Sequence, residues 1–449
     1  MLFNSFPFLL LFLPCVLLIT LCLKGKHLLA WIAISSYVFY LFAGHAWFLV
    51  PMLATTLMDF KLGIALENSK NPLTRKLILG CSLGSSLILL ATFKYSGLFF
   101  DARWTAWILP AGISFYTFQT MSYMIDIYRG QASAQHDFWC FASFVSFFPH
   151  LVAGPLTRHD QLIPQLKQAE KQGIEPRWDA AVFLFFIGLC KKTLLADPIG
   201  RLIDPVIANT RMMGFTWAWT CALGYSIQIY FDFSGYSDMA IGLGRFFGIE
   251  LPQNFNKPYT AMNPSDFWKR WHITLSRWMR DYLYIPLGGN RSSQAKTIFA
   301  LGTTMFLAGL WHGARWTFAE WGMYHAFWLM IYHRYQNWWD NAHPFVQQSL
   351  TFTMVTAGWV LFRAPSSEAV GRWFSRLFDF ASLAHAPRLP IMLLPLILLG
   401  LLIEYRLPVF SKGKCFHDMN SYSQIGFGVL AAAALLFMHQ SSKFLYFQF

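Results

Sequence analysis

The chain has 449 residues, 55% of them hydrophobic and 13% charged, with a mean hydropathy of +0.40. Soluble domains carry about 25% charged residues, so the composition excludes an ordinary soluble enzyme and indicates an integral membrane protein. The formal net charge of +13 would suggest nucleic acid in a soluble chain. Here it reads as loop charge on the cytoplasmic side, and no nucleic-acid partner is expected.

Runs without Asp, Glu, Lys or Arg cover 1–23, 28–58, 104–125, 138–157, 212–231, 297–314 and 341–362. Most reach the roughly 20 residues that a spanning helix needs. Shorter apolar stretches at 77–93, 180–190, 389–403 and 425–438 bring the expected number of transmembrane helices to about 10–12, some of them re-entrant. The fold class expected is an all-α polytopic membrane protein. The first run lacks a basic leader and a small-residue cleavage site, so it is read as a retained helix. Lys24 and Lys26 follow it, which places the N-terminus outside and the 24–27 loop in the cytoplasm. Lys70, Arg75 and Lys76 mark another inside loop.

Two stretches look polar. Residues 158–179, "RHDQLIPQLKQAEKQGIEPRWD", read as short and partly helical. The stretch from Arg245 to Lys296 holds eight Lys or Arg against Glu250, Asp266 and Asp281, and is placed at the cytoplasmic face, with 250–296 as an interfacial helical segment. Neither can build its own core, so 1–449 reads as one integral-membrane domain. The seven cysteines show no CxxC spacing, and neither a disulfide framework nor a metal site is expected.

Ionisable residues among apolar neighbours include Asp59, Lys94, Asp126, His150, Asp232, Asp238, Arg363 and Glu404. Such groups usually face a protein interior or a watery cavity. "YFDFSGYSD" (230–238) is the densest group. Asp232 and Asp238 are candidates to line a polar path, or else to cap a helix break at Gly235.

The stretch "NPSDFWKRWHITLSRWMRDYLY" (263–284) has a helix start in Asn263, Pro264 and Asp266. Phe267, Trp268, Trp271, Leu275, Trp278 and Tyr282 recur at three-to-four spacing, giving one aromatic face. A Trp- and Arg-rich helix of this kind suits the membrane interface. On it, His272 with Lys269 and Ser276 a turn to either side is a candidate site for anionic groups. "PLGGNR" (286–291) is a weak phosphate-binding signal.

"WHGARWTFAEWGMYHAF" (311–327) carries His312 and His325. On a straight helix, thirteen residues leave them about 140° apart in azimuth and about 20 Å apart along the axis. They share nothing unless the helix breaks at Gly313 or Gly322. No HExxH motif is present, which disfavours a zinc enzyme. A buried structural histidine and a general base both remain open for His312.

With these motifs in hand, the sequence resembles the membrane-bound O-acyltransferases (MBOAT), in particular the bacterial branch that acts in alginate O-acetylation. The stretches that carry the resemblance are "LPAGISFYTFQTMSYMIDIYRG", "HLVAGPLTRHDQLIPQL", "YFDFSGYSDMAIGLGRFFGIELPQNFNKPY", "DFWKRWHITLSRWMRDYLYIPLGGNR", "GLWHGARWTFAEWGMYHAF", "GWVLFRA" and "FLYFQF". The resemblance implies a ring of helices around a central tunnel, with the donor entering from the cytoplasm. It implies that His312, in the WHG-type motif, is catalytic, and that His272 holds the position that is Asn, Asp or His across the superfamily. His325 falls in the branch's WGxxHG-like motif, with Ala326 in place of the usual glycine, and is a secondary candidate.

What the resemblance implies for function is transfer of an acetyl group from cytoplasmic acetyl-CoA to an exported polysaccharide. The final step would fall to an extracytoplasmic partner acetyltransferase of the SGNH type. Lys269, Arg270, Ser276 and Arg280 are candidates to bind the donor. No tightly bound cofactor is expected, and the location implied is the bacterial inner membrane, with lipid around the chain. Two alternatives stand beside this reading: D-alanyl transfer from an acyl carrier protein, and a transporter of an acyl donor or glycan without catalysis.

Overall fold

The computed structural model describes residues 2–42, 44–96, 110, 112–210, 213–291, 293–385, 389–406, 416–442 and 444–445. Among these residues the regular structure is helical throughout. Among the described residues, three helical stretches are both long and apolar enough to cross a bilayer: Ala46–Asn68, Pro72–Tyr95 and Ser421–Gln440. The fold is that of an all-α membrane protein. Several of the uncharged runs are divided rather than continuous. Residues 138–157 form Phe138–Ser146 and the short turn Phe148–Leu151, separated at Phe147. Part of the run 104–125 lies outside the described residues.

The chain forms two compact units, each assembled from three separated stretches. The first comprises 1–188, 236–253 and 413–429. Gly25–Leu41 packs there on Phe138–Ser146, and Leu49–Asn68 packs on Pro72–Leu90 and Ile113–Tyr128. Phe8, Phe12, Phe39 and Phe148 interlock with ring centroids 5.3–6.2 Å apart. Such edge and offset contacts suit aromatic quadrupoles. Buried polar groups mostly find partners: Ser82 donates to Asp59 at 2.7 Å, and Lys94 donates to Ser114 at 2.9 Å. The polar stretch around 158–179 holds the amphipathic helix His159–Gln172.

The second unit comprises 189–235, 254–412 and 430–449. Its core is dense with large aromatics, among them Tyr225, Trp271, Trp321, Trp359 and Trp373. Some of their polar atoms are bonded: Trp359 Nε1–H donates to the Tyr259 hydroxyl, which donates to Ser226 O at 2.5 Å, and Trp373 Nε1–H donates to Ala218 O at 3.0 Å. Glu404, buried beside them, accepts from the Tyr259 backbone N–H at 3.1 Å. Arg363 is paired with Asp204 at 2.8 Å.

Two sequence expectations change here. The helix Phe215–Phe246 runs unbroken through Gly235, so the 230–238 carboxylates cap no break. One glycine within a strongly packed 32-residue helix costs only about 1 kcal/mol. The stretch 263–284 is also not one helix. Pro264–Arg270 and Ile273–Met279 are separate, and a wider π-helical turn, Arg280–Tyr284, follows. The helix start is as expected, with the Asn263 side chain accepting from Asp266 N–H at 2.8 Å.

Candidate active site

His272 lies at the break between the two short helices, in the left-handed region with φ 42° and ψ 53°. Such a conformation is uncommon for a residue with a Cβ and persists only when its surroundings fix it. The surroundings here are Asn254 and Asn256. Ile273 N–H donates to Asn254 O and Asn256 N–H to Arg270 O, each at 2.9 Å, bracketing the break. The Asn254 side chain completes the hold. Its Oδ1 accepts from Thr274 N–H at 3.3 Å and Thr274 Oγ1 at 2.9 Å, and lies 3.1 Å from His272 Nδ1.

A backbone N–H can only donate, so the Asn254 atom facing it is the carbonyl oxygen. His272 Nδ1 therefore carries the proton, and Nε2 presents a lone pair. Nε2 is buried and has no hydrogen-bond partner among the described residues. His272 is 1% exposed, and burial pushes its imidazole down to about 3. The ring is neutral at ordinary pH.

The 311–327 stretch forms a helical hairpin rather than one helix. Gln294–His312 ends at His312, Gly313 is extended, and Trp316–Arg334 returns. Gly309 and Gly322 let the two backbones touch. A Cβ on Gly309 would lie 2.1 Å from Phe318 O, and one on Gly322 would lie 2.2 Å from Met305 O. The break at Gly313 removes the straight-helix separation of His312 and His325. Both rings now pack on the indole of Trp321, with centroids 5.2 and 4.9 Å away. Trp311 likewise lies between His272 and His312, at 5.8 and 5.1 Å. The three histidines and two tryptophans thus alternate in one ladder: His272, Trp311, His312, Trp321, His325.

Two cavities adjoin this ladder, and His312 and Trp321 line both. The first is about 20 Å³, room for one water-sized group, and Asp232, Phe233, Trp359 and Leu445 also line it. The second is about 130 Å³ and extends past Trp268, Leu275 and Met305 to Ser276, Arg280 and Tyr284. One wall therefore separates a small polar-tipped space from a larger apolar one that ends in a cation.

Residues 128–364 match the membrane-bound O-acyltransferase (MBOAT) family. The "Probable alginate O-acetylase AlgI" of Pseudomonas aeruginosa is 39% identical over 406 residues, 85% of this chain and 76% of that protein. The chain belongs to the MBOAT family. It is an O-acyltransferase. The "Peptidoglycan O-acetyltransferase" of Helicobacter pylori is 36% identical over 76% of this chain and 71% of its own length. The "Teichoic acid D-alanyltransferase" of Bacillus subtilis is 29% identical over 51% of this chain and 60% of its own length.

The remaining sequence candidates in this MBOAT chain fall into separate groups. Ser276 and Arg280 line the larger cavity. Lys269 is exposed and lines neither cavity, and Arg270 is engaged by Asp266 at 2.8 Å and Thr260 at 3.4 Å. Asp232 lines the smaller cavity, whereas Asp238 is half-buried in the other unit and lines neither. His325 lines neither cavity. It is buried among Phe267, Trp268, Trp321 and Tyr324, and its nitrogens have no hydrogen-bond partner among the described residues. Sequence reasoning missed Asn254 and Lys192. Asn254 sits in "LPQNFNKPY", which carried the family resemblance, but its bond to His272 spans 18 residues and has no periodic signature.

Proposed function

We propose that this MBOAT enzyme takes an acetyl group from cytoplasmic acetyl-CoA for O-acetylation of an exported, alginate-like polysaccharide at the bacterial inner membrane, through an extracytoplasmic acetyltransferase partner. The observation that carries the reading is His312 as the common wall of two cavities. The larger cavity fits the thioester arm of the donor: its inner walls are apolar, and Arg280 at its rim suits a phosphate by charge. The smaller cavity fits the hydroxyl that attacks. Similarity to the alginate and peptidoglycan O-acetylating proteins over three quarters of the chain or more supports acetyl over D-alanyl transfer, because two D-alanyl relatives align over 51% and 58%.

A hydroxyl is a poor nucleophile at neutral pH. His312 acts as the base, taking its proton as the oxygen attacks the thioester carbonyl. The new C–O bond forms, the C–S bond breaks, and the proton held by His312 passes to the departing thiolate. General-base assistance of this kind is worth about 10²–10⁴-fold. His272, neutral and held by Asn254, lines neither cavity and acts as a positioning residue through the Trp311 indole packed between it and His312.

The test is transfer of labelled acetyl from acetyl-CoA by the purified protein in liposomes, together with its partner and acceptor. His312→Ala that folds normally should lose at least about 100-fold in rate. A wild-type rate overturns the assignment. Labelled D-alanyl carrier protein serving in place of acetyl-CoA overturns the donor.

A further inference from the structure

Beside the smaller cavity lies a buried charge cluster that the reaction above does not use. Lys192 Nζ is 2.5 Å from Asp232 Oδ1 and 2.8 Å from Asp197 Oδ1, and these three residues are 0%, 2% and 5% exposed. Among the described residues two carboxylates face one ammonium, so their oxygens call for further donors where desolvation is most costly. Among the described residues three further donors come from near the chain's end, and Lys192 Nζ also donates to Ser442 Oγ at 3.2 Å. Ser441 Oγ and Ser442 Oγ each donate to Asp197 at 2.6 Å, and Leu445 N–H donates to Asp232 Oδ2 at 2.8 Å. Lys192 also lies over the Phe444 ring, 4.7 Å from its centroid. Leu445, so anchored, forms part of the cavity wall with His312, Ile229 and Phe233.

We propose that the Lys192–Asp197–Asp232 cluster is a receptor for Ser441, Ser442 and Leu445, clamping Leu445 in place as a wall of the His312 cavity so that the attacking group is held in register. The cluster and these three residues are mutually dependent. Without them, a carboxylate pair loses three donors in a site that water does not easily replace. Without the cluster, Leu445 loses its N–H bond to Asp232 and the cavity loses the hold on one side. The residues of the clamp are positioning residues, acting through the wall they hold. The proposal rests on the reading that this cavity is where the hydroxyl attacks.

The double variant S441A/S442A removes two donors while leaving the Lys192 ion pairs intact. In the full-length protein it should lower kcat for acetyl transfer by about tenfold and leave KM for acetyl-CoA within about twofold, because only orientation at the reacting centre changes. Accessibility is read independently of activity. Leu445→Cys, labelled by a membrane-permeant maleimide and quantified at residue 445 by peptide mass spectrometry, should react several-fold faster in the S441A/S442A background than alone. Unchanged labelling overturns the clamp, and so does a wild-type kcat with faster labelling. Should His312→Ala stay active, the catalytic reading fails while the labelling still decides whether the clamp exists.

Discussion

The Nδ1–H of His272 donates to Asn254 Oδ1 at 3.1 Å, and that oxygen also accepts from the Thr274 N–H and hydroxyl. One side chain thereby fixes the tautomer of a buried imidazole and the backbone turn that carries it. Asn254→Leu should cut acetyl transfer by about 10–100-fold, since it frees the ring and leaves buried donors unpaired. Asn254→Asp keeps an acceptor and should retain more activity than Asn254→Leu. Steady-state rates of the two variants, compared at equal thermal stability, check the order.

His272 also predicts an acid sensitivity. Burial lowers its pKa to about 3 from an ordinary value near 6.5. Between these values the unfolded chain binds a proton that the folded chain does not, so stability falls as pH drops below about 6.5. His272→Gln should show a shallower loss of Tm than the parent between pH 7.5 and 5. Equal slopes would refute a neutral buried ring.

Trp321 is the indole between His312 and His325 and part of the wall between the cavities. Trp321→Ala removes most of that wall. Transfer to acceptor should fall, while CoA release without acceptor should rise as water reaches the thioester. A thiol assay with and without acceptor measures both. A fall in the two together would show that Trp321 only supports packing.

Gly322→Ala should destabilise the protein by about 2–4 kcal/mol, because the added methyl meets Met305 backbone at 2.2 Å. Gly302→Ala, on the same hairpin, meets only the flexible Met330 methyl at 3.5 Å and should be neutral or mildly stabilising. Thermal unfolding in detergent separates the two.

Arg280 borders the larger cavity and Lys269 does not. Arg280→Ala should raise KM for acetyl-CoA by about threefold to tenfold, whereas Lys269→Ala should stay within about twofold, since an exposed charge remote from a ligand contributes little. The Arg280 ion pair with Asp281, at 2.7 Å, makes Asp281→Asn a useful companion, expected to lower KM.

The amino-acid sequence determined the class of molecule and the family. The long uncharged runs meant membrane helices, because a bilayer tolerates few unpaired charges. The RWH and WHG stretches, forty residues apart, marked His272 and His312 as candidates through the family resemblance. Asn263 and Pro264 likewise marked a helix start from local chemistry alone. Periodicity failed where tertiary contacts override it. The aromatic spacing of 263–284 reads as one helix, but hydrogen bonds from Asn254 and Asn256 break it at His272. Lys269 and Arg280 look equivalent as basic residues on that stretch, and only the path of the cavity separates them.

His312 and His325 show the division best. Their sequence spacing puts them on different faces of a helix, and that geometry is correct for a straight one. Gly313 ends the helix, and two further glycines let the returning helix press against the first, so both rings meet at Trp321. Which histidine borders the cavities, and which is packed away from them, is decided by that close approach of two backbones. Such an approach depends on what lies across from each glycine, and residue order along one helix does not contain it.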